Sequence, residues 1–359
     1  MFSNKELRSM IITLFFEQLL VMLVGIVDTF VVSSCGEAAV SGVSLVNQFN
    51  TIFIYLFTAL ASGGAIIVSQ YIGNKDEKRT VLSSSQLLMF SIVFSIVLSI
   101  LVLIFNKQLL GLLFGKVESD VMKACVTYLR ISAYSYPALA IYNAGAALYR
   151  SMAKTKVTMY ISFAANIINV VGNIIGVYVL KAGVAGVAQS IWSLAALIGS
   201  AMGPVFITVI GQCMGAKDVD QAKFYFSKLI KWSLAFSIVW NVLVLAMTPF
   251  ILQFYNLANE TKHLIIILVI IHNIANTVVF PLSGPLSQGL RATGDVKFTM
   301  IVSIASTVGG RLVLSIILAL GLHLGVIGIA LAMCGDWTIR AIIFYYRYKS
   351  NAWTKFEVI

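Results

Sequence analysis

Apolar residues run along this chain in long continuous stretches, and a short polar segment separates each stretch from the next. A run of about 20 apolar residues is what a helix needs to cross the hydrocarbon of a bilayer, whereas a membrane strand alternates every second residue. The runs predict about ten spanning helices, near 9–33, 42–72, 82–105, 121–147, 157–180, 184–213, 229–255, 262–290, 298–322 and 324–346. A helix satisfies every backbone N–H and C=O within one segment, which lipid cannot do for it. The expected fold class is therefore all-α and polytopic. The first run carries Glu17 and Asp28, exceeds the length of a signal-peptide core and shows no small-residue cleavage site. It is expected to stay in the membrane. Pro281 and Pro285 fall inside the eighth run and should bend or loosen it.

The chain also matches itself. Gln70-Tyr71-Ile72-Gly73-Asn74-Lys75-Asp76 recurs 142 residues later as Gln212-Cys213-Met214-Gly215-Ala216-Lys217-Asp218. Phe94-Ser95-Ile96-Val97 recurs as Phe236-Ser237-Ile238-Val239, and Gly183-Val184-Ala185-Gly186 as Gly325-Val326-Ile327-Gly328. Arg150 and Lys156-Val157-Thr158-Met159 recur as Arg291 and Lys297-Phe298-Thr299-Met300, one residue closer. Two related halves are fused in one chain, and parallel repeats in a membrane protein place the substrate site near their interface.

The halves are unequal. Shifting 42–72 by 142 gives 184–214, while the partner of the last helix requires 183–205, so two helices of the pattern fall on the same residues. The stretch from Val184 to Cys213 reads as the start of one helix joined to the end of another, and the first span has no partner. The expected organisation is a first lobe over 1–183, a hybrid helix over 184–215 and an incomplete second lobe over 216–359.

Composition agrees with a lipid-embedded chain: 59% of residues are hydrophobic, 11% are charged and mean hydropathy is +0.94. With the N-terminus inside, the inner segments hold 17 of the 25 Lys and Arg, the outer loops five and the spans three. Subtracting acids gives 17−7 = +10 inside, 5−4 = +1 outside and 3−3 = 0 within spans, which accounts for the net +11. An excess of Lys and Arg on cytoplasmic loops explains the basic balance without nucleic acid, and both termini are expected to be cytoplasmic. The chain lacks a Gly-x-x-x-x-Gly-Lys-(Ser/Thr) loop for ATP phosphates. Its three His form no His-Glu-x-x-His set, and Cys35, Cys125, Cys213 and Cys334 are scattered as packing residues. Neither an enzyme nor a primary pump is expected.

A carboxylate in hydrocarbon costs roughly 2.5–3.5 kcal/mol on the lenient insertion scale, so each of Glu17, Asp28 and Asp336 needs a partner or a purpose. Glu17 and Asp28 stand 11 residues apart, about three helical turns, and share a face. On the fifth span, Asn166, Asn169 and Asn173 form one polar stripe in a helix without charge, with Asn169 and Asn173 at a depth comparable to Asp28. One carboxylate and several amide oxygens suit a hard cation such as Na⁺, and the same carboxylate, desolvated, is suited to carry a proton. Amides such as Asn166 equally serve to glue membrane helices together. Glu17, Asn47, Gln48, Asn50 and Asn143 are further candidates for lining a cavity. Asp336 and Arg340 are i, i+4 and are read as a structural pair. Arg130 and Arg311 have no local acid and are expected to snorkel or pack on helix-end carbonyls.

Glu17-Gln18-Leu19-Leu20, Val27-Asp28-Thr29-Phe30-Val31-Val32-Ser33, Gly36-Glu37-Ala38-Ala39-Val40-Ser41-Gly42-Val43, Tyr149-Arg150-Ser151-Met152-Ala153-Lys154-Thr155-Lys156 and Gly211-Gln212-Cys213-Met214-Gly215-Ala216 together resemble the MATE (multidrug and toxin extrusion) family over essentially the whole chain. The resemblance implies two six-helix lobes forming a V, alternating access, and export of small organic cations driven by H⁺ or Na⁺ entry. It implies no cofactor beyond the coupling ion, a monomer in the bilayer and residence in a bacterial inner (plasma) membrane. It also implies that Asp28, Asn169 and Asn173 form the first-lobe cation site, with Na⁺ as the ligated metal if coupling is to sodium. The chain departs from the family in its missing crossings, in Asn173 where an acid is the family's alternative, and in lacking the Pro near the start of the first helix, around Thr13. Its alternatives are a shortened, transport-inactive relative and a flippase for lipid-linked oligosaccharides, as in related families.

Overall fold

A computed structural model describes residues 2–32, 37–115, 118–164, 195–253 and 259–356, with side chains described except at 23–32, 37–44, 251–252 and 259–262. Among them the fold is all-helical. Helices α1 (Asn4–Val32), α2 (Glu37–Gly73), α3 (Glu77–Phe114) and α4 (Ser119–Ser151) are followed by a helical stretch, α5, over 155–164. Then come α6 (Leu197–Gly215), α7 (Val219–Gln253), α8 (Asn259–Val278), α9 (Phe280–Ser283), α10 (Pro285–Ala292) and α11 (Val296–Ala305). The last α-helices are the four-residue α12 (Val313–Ile316) and the long α13 (Gly325–Lys349). Six described helices are long and apolar enough to cross a membrane, or seven when the bent pair of α8 with α9 and α10 counts as one span. The protein is therefore a multi-pass membrane protein.

Several helices outrun their apolar cores. The third span is predicted as 82–105 but the helix extends from Glu77 to Phe114, and the seventh begins at Val219, ten residues before the predicted 229. Hydropathy marks only the part of a helix that lipid surrounds; the polar turns at either end continue it until a cap stops it. Those caps show how deep the repeat runs. Lys75 and Lys217 both adopt a left-handed φ of 58°, and Asp76 and Asp218 then accept from the backbone N–H of Arg79 and Gln221, each at 2.9 Å. Asn74 donates to the Gln70 carbonyl at 2.9 Å, and Ala216 to the Gln212 carbonyl at 3.0 Å. The later turn is duplicated as well. Ala153 and Gly294 both have positive φ, with backbone bonds from Ala153 to Arg150 and from Gly294 to Arg291 at 2.9 and 3.0 Å. Ser3 and Glu6 open α1 with a reciprocal capping box, at 2.7 and 3.2 Å, which lowers the pKa of the Glu6 carboxyl by hydrogen bonding from the Ser3 backbone and then its side chain.

The chain packs as two compact units. One comprises Met1–Leu19, Ser69–Lys75 and Gly186–Ile359; the other comprises Leu20–Val68 and Asp76–Ala185. In the first, the Lys75 end of α2 crosses α6 at the repeated glycines. A Cβ at Gly73 would stand 2.0 Å from the Gln212 carbonyl oxygen, and one at Gly215 would stand 1.9 Å from the Gln70 carbonyl oxygen. Each glycine thus packs on the carbonyl of the glutamine three residues before the other. Gln70 also donates to the Ala292 carbonyl at 2.7 Å in full burial. Trp353 closes the same unit, completely buried, with its ring 4.7 Å from Phe226. In the second unit, α2, α3 and α4 share a core that includes Phe49, Phe53, Phe57, Leu110, Leu129 and Tyr136.

The eighth span does bend. Its two parts meet at 50°, at the break before Phe280 and Pro281. A feature absent from the hydropathy pattern lies further on. After α11 the helix widens into π-turns over Ser306–Leu312 and Ile317–Gly321, with α12 between them.

Candidate substrate and ion site

The clearest polar constellation joins α2 to α4 in the second unit. Asn50 accepts from the Tyr136 hydroxyl at 2.7 Å and donates from Nδ2 to Ser132 Oγ at 3.0 Å. One turn away, Asn47 accepts from the Tyr128 hydroxyl at 3.0 Å. Toward the other end of the pair, Thr58 donates to Asn143 Oδ1 at 3.4 Å, and Asn143 donates to the Leu139 carbonyl at 2.9 Å. Tyr142 continues the line to α5 through Ser162, at 2.6 Å. Tyr128, Ser132 and Tyr136 recur every four residues, so they project from one stripe of α4. Phe53 and Phe57 flank Tyr136, with ring centroids at 4.9 and 6.0 Å. The arrangement couples fixed amide dipoles to aromatic faces, and both kinds of group attract cations. Asn47 and Gln48 remain exposed along it.

Of the residues singled out from the sequence, Asn47, Asn50 and Asn143 are thus brought onto one seam. Glu17 is buried on α1, 1% exposed, within the other unit. Asp28 lies on the helical backbone of α1, and its side chain is outside the described residues. Asn166, Asn169 and Asn173 are outside the described residues. Asp336 and Arg340 form an ion pair on α13, Nη2 to Oδ2, with Asp336 fully buried. Its other oxygen, Oδ1, has no hydrogen-bond partner among the described residues. Arg311, expected to snorkel or to pack on helix-end carbonyls, meets the Met333 sulfur with Nη2 at 2.8 Å.

Sequence reasoning missed the tyrosine partners, although their four-residue spacing was there to be read. It also missed Asp295, 2% exposed, which Arg347 grips with Nε at 2.7 Å and Nη2 at 3.3 Å. Asn241, Asn273 and Asn276, all buried in the first unit, also went unremarked: Asn241 stands singly among apolar residues, whereas Asn273 and Asn276 are i, i+3 on α8 beside His272 and Thr277, a polar stripe that was there to be read. Tyr136→Phe should keep the ring packing and remove one donor to Asn50. Its expected cost is about 1 kcal/mol, read as a small fall in the unfolding midpoint of the purified protein.

A multi-pass chain, helical throughout its described residues, with a duplicated unit and a polar seam inside apolar helices has the make-up of a membrane transporter. The MatE family profile matches it twice, over residues 14–175 and 181–317, and the chain belongs to that family of transporters. Among curated relatives, an uncharacterized transporter of Bacillus subtilis, YisQ, is 22% identical over 430 residues, covering 95% of this chain and 93% of YisQ. That alignment is longer than the chain by 430−359 = 71 positions, so at least that many find no counterpart here. Among solved structures, a MATE in the straight conformation superposes with a TM-score of 0.82 at 14% identity, covering 98% of this chain and 97% of the other. The outward-facing conformation of a multidrug resistance MATE family transporter superposes with a TM-score of 0.76 at 13% identity, with the same shares covered.

Proposed function

We propose that this chain is a cation-coupled exporter of amphipathic organic cations that works by alternating access across the bacterial inner membrane, with both termini cytoplasmic. The observation that carries the reading is the acid-and-amide pattern of Asp28, Asn169 and Asn173 in a chain of this family. Entry of H⁺ or Na⁺ neutralises or occupies Asp28, and the change in charge favours the state that releases cargo outside. Sodium, if it is the coupling ion, is ligated by the Asp28 carboxylate and the two amide oxygens. The seam of Asn47, Asn50, Tyr136 and Asn143 offers the cargo amide dipoles and aromatic faces, and Gln48, Glu17 and Asn166 are further candidates for lining the transport path. The lobes run over 1–183 and 216–359, joined by 184–215, and the chain acts as a monomer.

The test is ethidium efflux from pump-deficient cells expressing the parent chain or Asp28→Asn, with insertion of both verified. The parent should lower cell-associated ethidium, and Asp28→Asn should abolish the part that depends on the ion gradient. Unchanged efflux in Asp28→Asn would remove that residue from coupling. A second reading is favoured by the 71 or more positions that YisQ has and this chain lacks: a shortened relative that inserts without transporting. Parent and empty vector matching across a panel of organic cations and lipid-linked sugars would select it.

A further inference from the structure

We propose that Arg311 is an anion-binding point in the second half of the chain, one that takes the carboxylate or phosphate of an amphipathic ligand. The inference concerns binding and stands whether or not the chain transports.

Arg311 lies inside the span Val296–Gly321, 15 residues from one end and 10 from the other. At about 1.5 Å of rise per residue, the nearer end is roughly 15 Å away, beyond what a snorkelling side chain bridges. A guanidinium at that depth requires a counter-charge or a polar ligand. The two acids buried among the described residues of this half each have an arginine of their own: Asp336 pairs with Arg340, and Asp295 with Arg347. Among the described residues, the hydrogen-bond acceptor that Arg311 meets is the Met333 thioether, a weak one for a group with five N–H donors.

Three further observations give that cation a ligand-shaped setting. Arg311 sits within the π-wound segment Ser306–Leu312, and such wide turns in helices concentrate at functional sites. The segment has room beside it, since a Cβ at Gly309 would meet nothing within 4 Å. The repeat is pointed too: Asn169 falls on Gly310 at the 141-residue offset that holds through Met159 and Met300, and on Arg311 at the 142-residue offset that holds from Gly183 and Gly325. The first half carries a neutral amide there, suited to a cation, and the second half carries a permanent cation. Arg binds carboxylate and phosphate through two parallel hydrogen bonds. Ile304, Val308 and Leu312 are each 57% exposed around it, so the anion should arrive on an apolar body.

The experiment uses purified full-length protein and dodecyl phosphate, laurate, dodecyltrimethylammonium and inorganic phosphate as probes, with binding read from intrinsic tryptophan fluorescence. Trp337 packs beside Met333 and should report occupancy. Dodecyl phosphate and laurate should bind saturably, and Arg311→Gln should weaken both by about tenfold or more while leaving dodecyltrimethylammonium unchanged. In nanodiscs, phosphatidylglycerol raising the unfolding midpoint of the parent but not of Arg311→Gln would name a bilayer lipid as occupant. Its doing neither, with dodecyl phosphate binding still Arg311-dependent, would name a free amphiphile. Competition by inorganic phosphate would show that the head group alone suffices. A second readout needs no variant: dodecyl phosphate, but not dodecyltrimethylammonium, should slow phenylglyoxal modification of Arg311, followed by peptide mass spectrometry. Equal anion binding by parent and Arg311→Gln, or labelling of Arg311 at an unchanged rate, overturns the proposal.

Discussion

Gly73→Ala and Gly215→Ala are each expected to prevent a stable fold or to lower the unfolding midpoint severely. The new methyl group would stand 2.0 Å from one carbonyl oxygen and 1.9 Å from the other, and neither contact involves a side chain that can rotate away. Overpacking by a methyl group ordinarily costs about 1–3 kcal/mol. Here two helix backbones must separate, so each variant should lie at the top of that range or above it. The control is Gly63→Ala in the same helix α2, where a Cβ meets nothing within 4 Å. That change should be neutral or gain up to about 1 kcal/mol from helix propensity. The double variant should cost less than the sum of the singles, because both changes separate the same crossing. Unfolding of the purified proteins in mixed micelles measures all four. A midpoint for Gly73→Ala equal to that of Gly63→Ala would mean the two helices do not meet there.

Arg340→Leu should be the most damaging single change on α13. It strands the Asp336 carboxylate, which is fully buried, without a counter-charge, and losing one partner of a buried pair typically costs about 3–5 kcal/mol. Replacing both residues by Leu should recover most of that loss, since an apolar pair avoids desolvating two charges and is often neutral or better. A double variant that regains stability and, where the parent exports ethidium, retains that export would mark the pair as structural. Regained stability with abolished export would make Asp336 a functional acid.

The parts of this molecule that were legible in sequence share a physical cause. Lipid offers the backbone nothing, so the length of an apolar run fixes the existence of a helix almost unaided. Pro281 announced its bend because a proline removes a backbone donor wherever it falls. Repeated turns were legible too, since Lys75-Asp76 and Lys217-Asp218 carry the same cap. The seam was only half legible. Amides such as Asn50 stand out in an apolar helix, but Tyr128 and Tyr136 look like any aromatic packing residue until a neighbouring helix supplies their acceptors. The pairing of Asp295 with Arg347 spans 52 residues, and no local pattern encodes it. The π-turns escaped for another reason: the few polar residues of that helix, among them Ser303, Ser306, Thr307 and Arg311, mark no continuous polar face against which a change of angular phase can be seen.

Those turns carry a record of how the halves diverged. From Met159 to Gly183 the first half counts 24 steps, while the equivalent interval, Met300 to Gly325, counts 25. A π-turn bonds each residue to the fifth along instead of the fourth, so it can absorb an additional residue without breaking the helix. The second copy holds its extra residue in the interval that contains Ser306–Leu312 and Ile317–Gly321. One codon inserted into a regular α-helix would turn every later side chain through about a quarter of a revolution; taken up by a wide turn, it displaces only the residues at that turn and leaves the rest of the helix in phase with the repeat.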